Sequence, residues 1–509
     1  MTATAPSAEA LVVTGERIVA VGDRGLLARF PGAVVEDLGG RTMCPGFIDA
    51  HHHLSIAALH PRWGDATGAA TVEELMAAAA AQASRDPHSP WVRVAGWDDR
   101  AGRVVPHRRD LDALGLARPV VIAHYSLHQA VVCSRALEEL GVGRSTPDPV
   151  GGWIGRDPDG TPNGLLAERA WSDAHRRSLP PHDDPVRWAR AIEALAATLP
   201  ADGITAVHDP ACPPGAEAAY RLLADAGRLP VGVLACPHPA ALLAPPDTRR
   251  LAGAPTGAGN EQLRVGPLKL FADGGIVPAI DVHLAGRRLT VGALFPGLAD
   301  HVDAAVARGF RVAVHAIGNA ALDHALEVFE AVHRRYGSVD HRFRVEHACL
   351  ASPAQLQRLA ALGGVAVVQP GFLHHLGALV EDMNVDDATW LPFADMQRAG
   401  LTLAASSDCP CAFHQPLRTS ARGTTRMTAS GRVLHSEQAV PFEDWLYAYT
   451  AGAAYAGGQE HERGSLAPGL RADLVVLDGQ LDADDPPTVA QTWIGGALVY
   501  AKEAPPAPA

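Results

Sequence analysis

The stretch Pro45–Leu54, PGFIDAHHHL, decides how the rest of this chain is read, because an apolar run passes straight into three histidines with no polar transition. Side chains two apart on a strand project to the same side, so His51 and His53 can grip one metal ion while His52 points the other way. A surface histidine cluster or a satisfied core histidine is the competing reading, and the surroundings of the stretch must decide between them.

The chain has 509 residues, 47% of them hydrophobic and 19% charged, which describes a compact globular protein too long for one minimal domain. A large barrel with additions, or two to three domains, is expected. A net charge of -13 argues against nucleic acid or anionic membranes as partners, and a small-molecule substrate is expected instead, with a homodimer left open. The start, MTATAPSAEA, has neither a basic n-region nor an apolar h-region, and no later run approaches a membrane span, so a cytoplasmic location is expected. The seven cysteines are scattered and odd in number, which suits reduced thiols; Cys409-Pro410-Cys411 is the one close pair and reads as structural.

All but two of the 43 basic residues are arginine. Of the two lysines, Lys502 lies in the tail, whereas Lys269 sits inside the apolar run RVGPLKLFADGG, where an unpartnered cation is costly. An amine can lose its proton when buried, be carboxylated or form a Schiff base; a guanidinium does none of these.

Short apolar runs alternate with Ala- and Leu-rich helical patterns, the signature of repeated βα units. The strands read as 42–50, 203–209, 229–236, 263–271, 310–316, 341–348, 364–372 and 401–408, and eight such units point to a closed (β/α)8 TIM barrel of the α/β class spanning 45–54 and 186–463. Residues 1–44 and 464–500 share short apolar runs and Gly-rich turns, so the two termini are expected to pair into one small β-sandwich domain. Residues 55–185 are far too long for a barrel loop; they read as an inserted lid or specificity subdomain over the rim where barrel active sites form. Residues 501–509 read as a frayed tail.

Metal-ligand types then fall at the carboxyl ends of these strands: His51 and His53 on the first, Lys269 on the fourth, His315 on the fifth, His347 on the sixth and Asp408 on the eighth. A barrel brings such distant strand ends into one funnel. Imidazoles suit zinc-like ions, an anionic oxygen ligand can bridge two cations, and a carboxylate beside metal-bound water can accept its proton.

PGFIDAHHHL, KLFADGG, HAIGNAALDHAL, VEHACL, SSDCP and GSLAPGLRADLVVLD together resemble the amidohydrolase superfamily, over nearly the whole chain. Gly96-Trp97-Asp98, His128 ahead of Ser134 to Leu137, and the run Gly151 to Glu168 are similar to its YtcJ-like branch. The branch usually has a further strand before the stretch corresponding to SAEALVVTGERIVAVG; here either that strand is missing or the start of the chain falls late. The resemblance implies a divalent-metal hydrolase of non-peptide carbon–nitrogen bonds in a small amide-type substrate. It implies two Zn2+ ions bridged by carboxylated Lys269, with His51, His53 and Asp408 on one ion and His315 and His347 on the other; a single ion is the variant. Asp408 is the expected catalytic base and later acid, working on a metal-bound hydroxide. Trp97, Asp98, His128 and Asp273 are candidate substrate contacts, while His52, His324 and His333 are set aside. A deaminase of a cyclic or amidine compound is the alternative chemistry, and a non-catalytic metal-binding scaffold the alternative of a different class.

Overall fold

Runs such as VAVHA at 312–316 and VAVV at 365–368 bury every side chain, as strands covered on both faces do. The computed structural model describes residues 7–100, 104–179, 184–238, 242–243, 249–337 and 340–502. It contains eight mutually parallel strands in which all side chains but Phe271 and Thr402 are buried: β1 (Phe47–Asp49), β2 (Ile204–Cys212), β3 (Gly232–Pro237), β4 (Leu268–Phe271), β5 (Val312–Ala316), β6 (Arg344–His347), β7 (Val365–Val368) and β8 (Thr402–Ala405).

Strands β1, β2 and β3 pair in that order and continue to a short piece, Leu263–Val265; β4 to β8 form a second sheet in chain order. The sequence reading expected one strand over 263–271. It breaks at Gly266-Pro267, because proline has no N–H to give to a ladder, and the chain steps from one sheet into the other there. At the opposite margin the Ala50 N–H donates to the Ala405 carbonyl at 3.2 Å and the Asp408 N–H to the His51 carbonyl at 2.7 Å, so β8 lies beside β1. The first and last of the eight strands are therefore neighbours.

Helices cover these strands with one apolar face each. Asn319–Tyr336 buries Ala321, Leu322, Ala325, Leu326, Phe329 and Val332, the three-and-four spacing of an amphipathic helix, and it carries His324 and His333. Pro353–Ala361 starts on a reciprocal Ser352/Gln355 capping box.

The first expected strand, 42–50, is also two. Thr42–Pro45 pairs antiparallel with Leu474–Asp478, within a four-stranded sheet completed by Thr488–Ile494 and Ala497–Ala501. Gly46 is the pivot: its N–H donates to the Asp473 carbonyl at 2.8 Å, and the next N–H, of Phe47, donates to Gly203 at 3.0 Å. An amino-terminal hairpin, Ala10–Thr14 with Arg17–Gly22, joins the carboxyl-terminal segment through Ile18 N–H to Leu470 and Ala472 N–H to Glu16. Ala501 belongs to a strand, and residues 503–509 of the expected tail lie outside the described residues.

A β-carbon at Gly46 would sit 2.4 Å from the buried Thr205 side chain, whose hydroxyl already donates to the Phe47 carbonyl at 3.2 Å. Gly46→Ala is therefore expected to destabilise the fold by about 1–3 kcal/mol, the usual range for overpacking. A thermal-unfolding midpoint equal to that of the parent would contradict this.

Residues 64–168 build a separate six-stranded sheet in the order Gly64–Asp65, Val92–Trp97, Val120–His124, Gln129–Val132, Pro162–Glu168, Gly152–Arg156. Among the described residues no helix is long and apolar enough to cross a membrane.

Candidate metal centre

His51 and His53 follow β1 directly and their rings share an edge-to-face contact at 5.2 Å, whereas His52 turns away to Asp49 (Nδ1 to Oδ2, 3.1 Å) and packs near His414. His315 lies on β5 and His347 ends β6, with ring centroids 4.6 Å apart. Asp408 follows β8. His347 and Asp408 hold φ values of 77° and 59°, left-handed conformations that are rare outside glycine and that recur at functional sites.

Asp408 Oδ1 lies 3.3 Å from His51 Nε2 and 3.2 Å from His53 Nε2, and the donor atoms of these three residues all fall within 4.8 Å of one another. One cavity is walled by His51, His53, Lys269, His315, His347 and Asp408 together with His128; Leu127, Leu242 and Phe271 supply its apolar side. All six strand-end residues of the sequence reading thus meet at one place.

Three of the imidazoles are held in one tautomer. Nδ1–H donates to Glu346 in His51 (2.5 Å), to the Pro210 carbonyl in His53 (3.0 Å) and to Gln369 Oε1 in His347 (2.9 Å), which leaves each Nε2 with a lone pair. Burial pushes His51 and His315 well below the ordinary histidine range and His347 down to about 4, so these rings are neutral ligands at neutral pH. Burial works against the Asp408 carboxylate, but the neighbouring His53, His51 and His347 bring it below the usual range, as an anion.

Lys269 is 1% exposed, its Nζ has no hydrogen bond among the described residues, and it stands 5.1 Å from the Phe271 ring centroid. Burial brings the amine down to about 8. His315 Nε2 is likewise buried and without a hydrogen bond. Neutral imidazoles, a carboxylate, and orphaned polar atoms aimed at one cavity form a donor set that fits divalent, zinc-like ions.

Of the four candidate substrate contacts, only His128 is in the cavity wall. Trp97 is buried in the 64–168 sheet, donating Nε1–H to the Val104 carbonyl at 3.1 Å, and Asp98 pairs with Arg100 at 2.9 Å. Asp273 is fully buried and accepts N–H groups from Ala279, Ile317 and Gly318; burial nonetheless raises it to about 7, and its Oδ1 lies 3.6 Å from His315 Nε2.

Two supports escaped the sequence reading. Arg344 donates to Glu346 at 2.5 Å and to His208 Nδ1 at 2.9 Å, so a buried ion pair fixes His51 from below. Its signal was available: charged residues inside the fully buried strand RVEH. The second is Glu168, which grips His128 (Nδ1 to Oε2, 2.7 Å).

A family model described as "Amidohydrolase family" matches residues 34–500. The N-substituted formamide deformylase of Arthrobacter pascens is 34% identical, over 97% of this chain and 95% of that protein. The putative amidohydrolase YtcJ of Bacillus subtilis is 28% identical, over 91% and 90%. The crystal structure of an uncharacterized metal-dependent hydrolase from Pyrococcus horikoshii superposes with a TM-score of 0.72 at 26% identity, covering 92% of this chain and 93% of that one. With a match of that extent and a relative of that identity, the chain belongs to the amidohydrolase family, metal-dependent hydrolases of non-peptide carbon–nitrogen bonds.

Proposed function

We propose that this protein hydrolyses the carbon–nitrogen bond of a small N-substituted amide, with a formamide as the first substrate class to test. The observation that carries this reading is the convergence of His51, His53, Lys269, His315, His347 and Asp408 on one cavity. The formamide assignment draws on the deformylase relative. The supporting frame we infer is a (β/α)8 barrel over 45–54 and 186–463, a β-sandwich from 1–44 and 464–500, and a lid over 55–185; the two parallel sheets with β8 beside β1, the shared terminal sheet and the separate 64–168 sheet support it.

His51, His53 and Asp408 would hold one divalent ion, most simply Zn2+, and His315 and His347 a second. Lys269 would join them as a carbamate: its neutral amine adds to the carbon of CO2 and releases a proton. When bound, the metal supplies a Lewis acid and lowers the pKa of water toward about 7. Asp408, anionic and within reach of both His51 and His53, takes the proton of the attacking water and returns it to the departing nitrogen. Leu127, Leu242 and Phe271 limit water on the opposite side.

Protein prepared without chelator is expected to carry about two ions per chain and to release amine and formate from N-alkylformamides. Removing the metal with a chelator should abolish that release and adding Zn2+ should restore it. A protein purified with about one ion supports the mononuclear variant, and one that binds no metal refutes the reading.

A further inference from the structure

A second cavity lies beside the metal centre. Leu270, Phe271 and Leu298 give it an apolar side, and Arg169, His238 and His301 a polar one. Phe271 belongs to the walls of both cavities: its ring centroid is 5.2 Å from that of His315 in the first and 5.5 Å from that of His238 in the second. The Nδ1–H groups of His238 and His301 donate to the carbonyls of Lys269 at 3.0 Å and Gly297 at 2.5 Å. Arg169 is the one permanently charged side chain in this wall among the described residues.

Arg169 is held in place without being paired. Its guanidinium lies over the Phe295 ring, 4.3 Å from the centroid, and Gly151 leaves room for this stack: a β-carbon there would fall 2.6 Å from Phe295 Cδ1 and 3.3 Å from Arg169 Cδ. The preceding residue is anchored as well, because Glu168 accepts the N–H groups of Ile276 at 2.8 Å and Val277 at 3.2 Å. Among the described residues no carboxylate and no hydrogen-bond acceptor engages the Arg169 side chain, and its Nε is buried. Arg250 and Arg264, also half-buried, each meet a glutamate, Glu217 and Glu462. Taking a guanidinium partly out of water without a counter-charge is costly, so an anion that comes with a ligand is the natural complement of Arg169.

We propose that Arg169 is a specificity-determining residue that receives a carboxylate at the far end of the N-substituent, so that the preferred substrates are formamido acids and not neutral alkylformamides. This rests on the amide-hydrolase reading above. A guanidinium fixed over an aromatic ring presents its free N–H groups as a planar fork, which matches the two oxygens of a carboxylate. The chain as a whole carries a net charge of -13, so no general field draws an anion to it and recognition has to be local. Phe271, shared by the two cavities, would line the methylene chain between amide and acid.

Zinc-loaded parent, Arg169→Met and Arg169→Lys would be compared by kcat/KM on two series: ω-formamidoalkanoates from N-formylglycine to 6-formamidohexanoate, and neutral N-alkylformamides of matched chain length. Metal content and the unfolding midpoint would be measured alongside. The parent is expected to favour the best anionic substrate over its neutral match by about tenfold or more, chiefly through KM. Arg169→Met should bring the two series level, whereas Arg169→Lys should keep part of the preference, since the charge remains and the fork is lost. Should Arg169→Met not fold, the parent's own preference and the Arg169→Lys variant carry the test.

A purely structural role for Arg169 would lower both series alike, so equal losses on the two would overturn the proposal, as would a parent that does not favour the anion. A metal-loaded parent that cleaves neither series would instead remove the formamide reading. Calorimetric binding of the same ω-formamidoalkanoates would then decide the Arg169 assignment: binding weaker by about tenfold or more in Arg169→Met supports it, and equal affinity overturns it.

Discussion

Lys269→Ala is expected to lose bound metal and turnover together, with metal falling to a small fraction of the parent level and kcat dropping by about a thousandfold or more. The lysine is almost wholly buried, its Nζ has no hydrogen bond among the described residues, and arginine supplies nearly every other cation of the chain. In the proposed site this residue acts as an anionic bridge and not as an ammonium ion. Truncation to alanine leaves an opening beside His51 and His315, so acetate or propionate added with Zn2+ should restore part of both losses. Lys269→Arg should not, because a guanidinium does not take up CO2. Metal analysis and amine release on the purified variant check this, and a Lys269→Ala protein that kept both would exclude the bridging role.

Asp408→Asn is expected to separate binding from chemistry. Asparagine keeps an oxygen where Oδ1 lies near His51 and His53, so metal should stay; it cannot carry a proton from water to nitrogen, so kcat should fall by about 10²–10⁴. Turnover near the parent value in a metal-loaded Asp408→Asn enzyme would remove Asp408 from the proton transfer.

What could be read from the sequence followed from one-dimensional signals. Strand alternation alone separates His51 and His53 from His52, and in the structure His52 turns to Asp49 while His51 and His53 face Asp408, although all three lie just past the strand's end at Asp49. Lys269 was conspicuous because a cation inside an apolar run is costly. The breaks at Gly46 and Gly266-Pro267 were missed, since a strand that changes partners midway keeps its apolar pattern and only the hydrogen-bond partners change. Asp98 was legible as an acidic residue but not as one committed to Arg100, and Trp97 looked like a pocket aromatic although it is buried in its own sheet. Glu346 and Glu168 act through histidines distant in the chain, at 51 and 128, and local pattern holds no information on such pairings.

The Glu168–His128 pair packs against Gly274 and Gly275, where a β-carbon would fall 2.3 Å from the Glu168 carboxyl carbon and 2.6 Å from His128 Nε2, and this bears on how new variants of this enzyme can be built. An inserted segment that follows the first strand invites exchange as a cassette between relatives. Here the loop after β4 has given up two side chains to receive Glu168 and His128, and two of its backbone N–H groups end on the Glu168 carboxylate. A transplanted segment without both residues would leave a gap beside His315 and the N–H groups of Ile276 and Val277 without their acceptor. The segment carrying Glu168 and His128 and the glycine pair therefore form one packing unit, and a chimera has to carry them together.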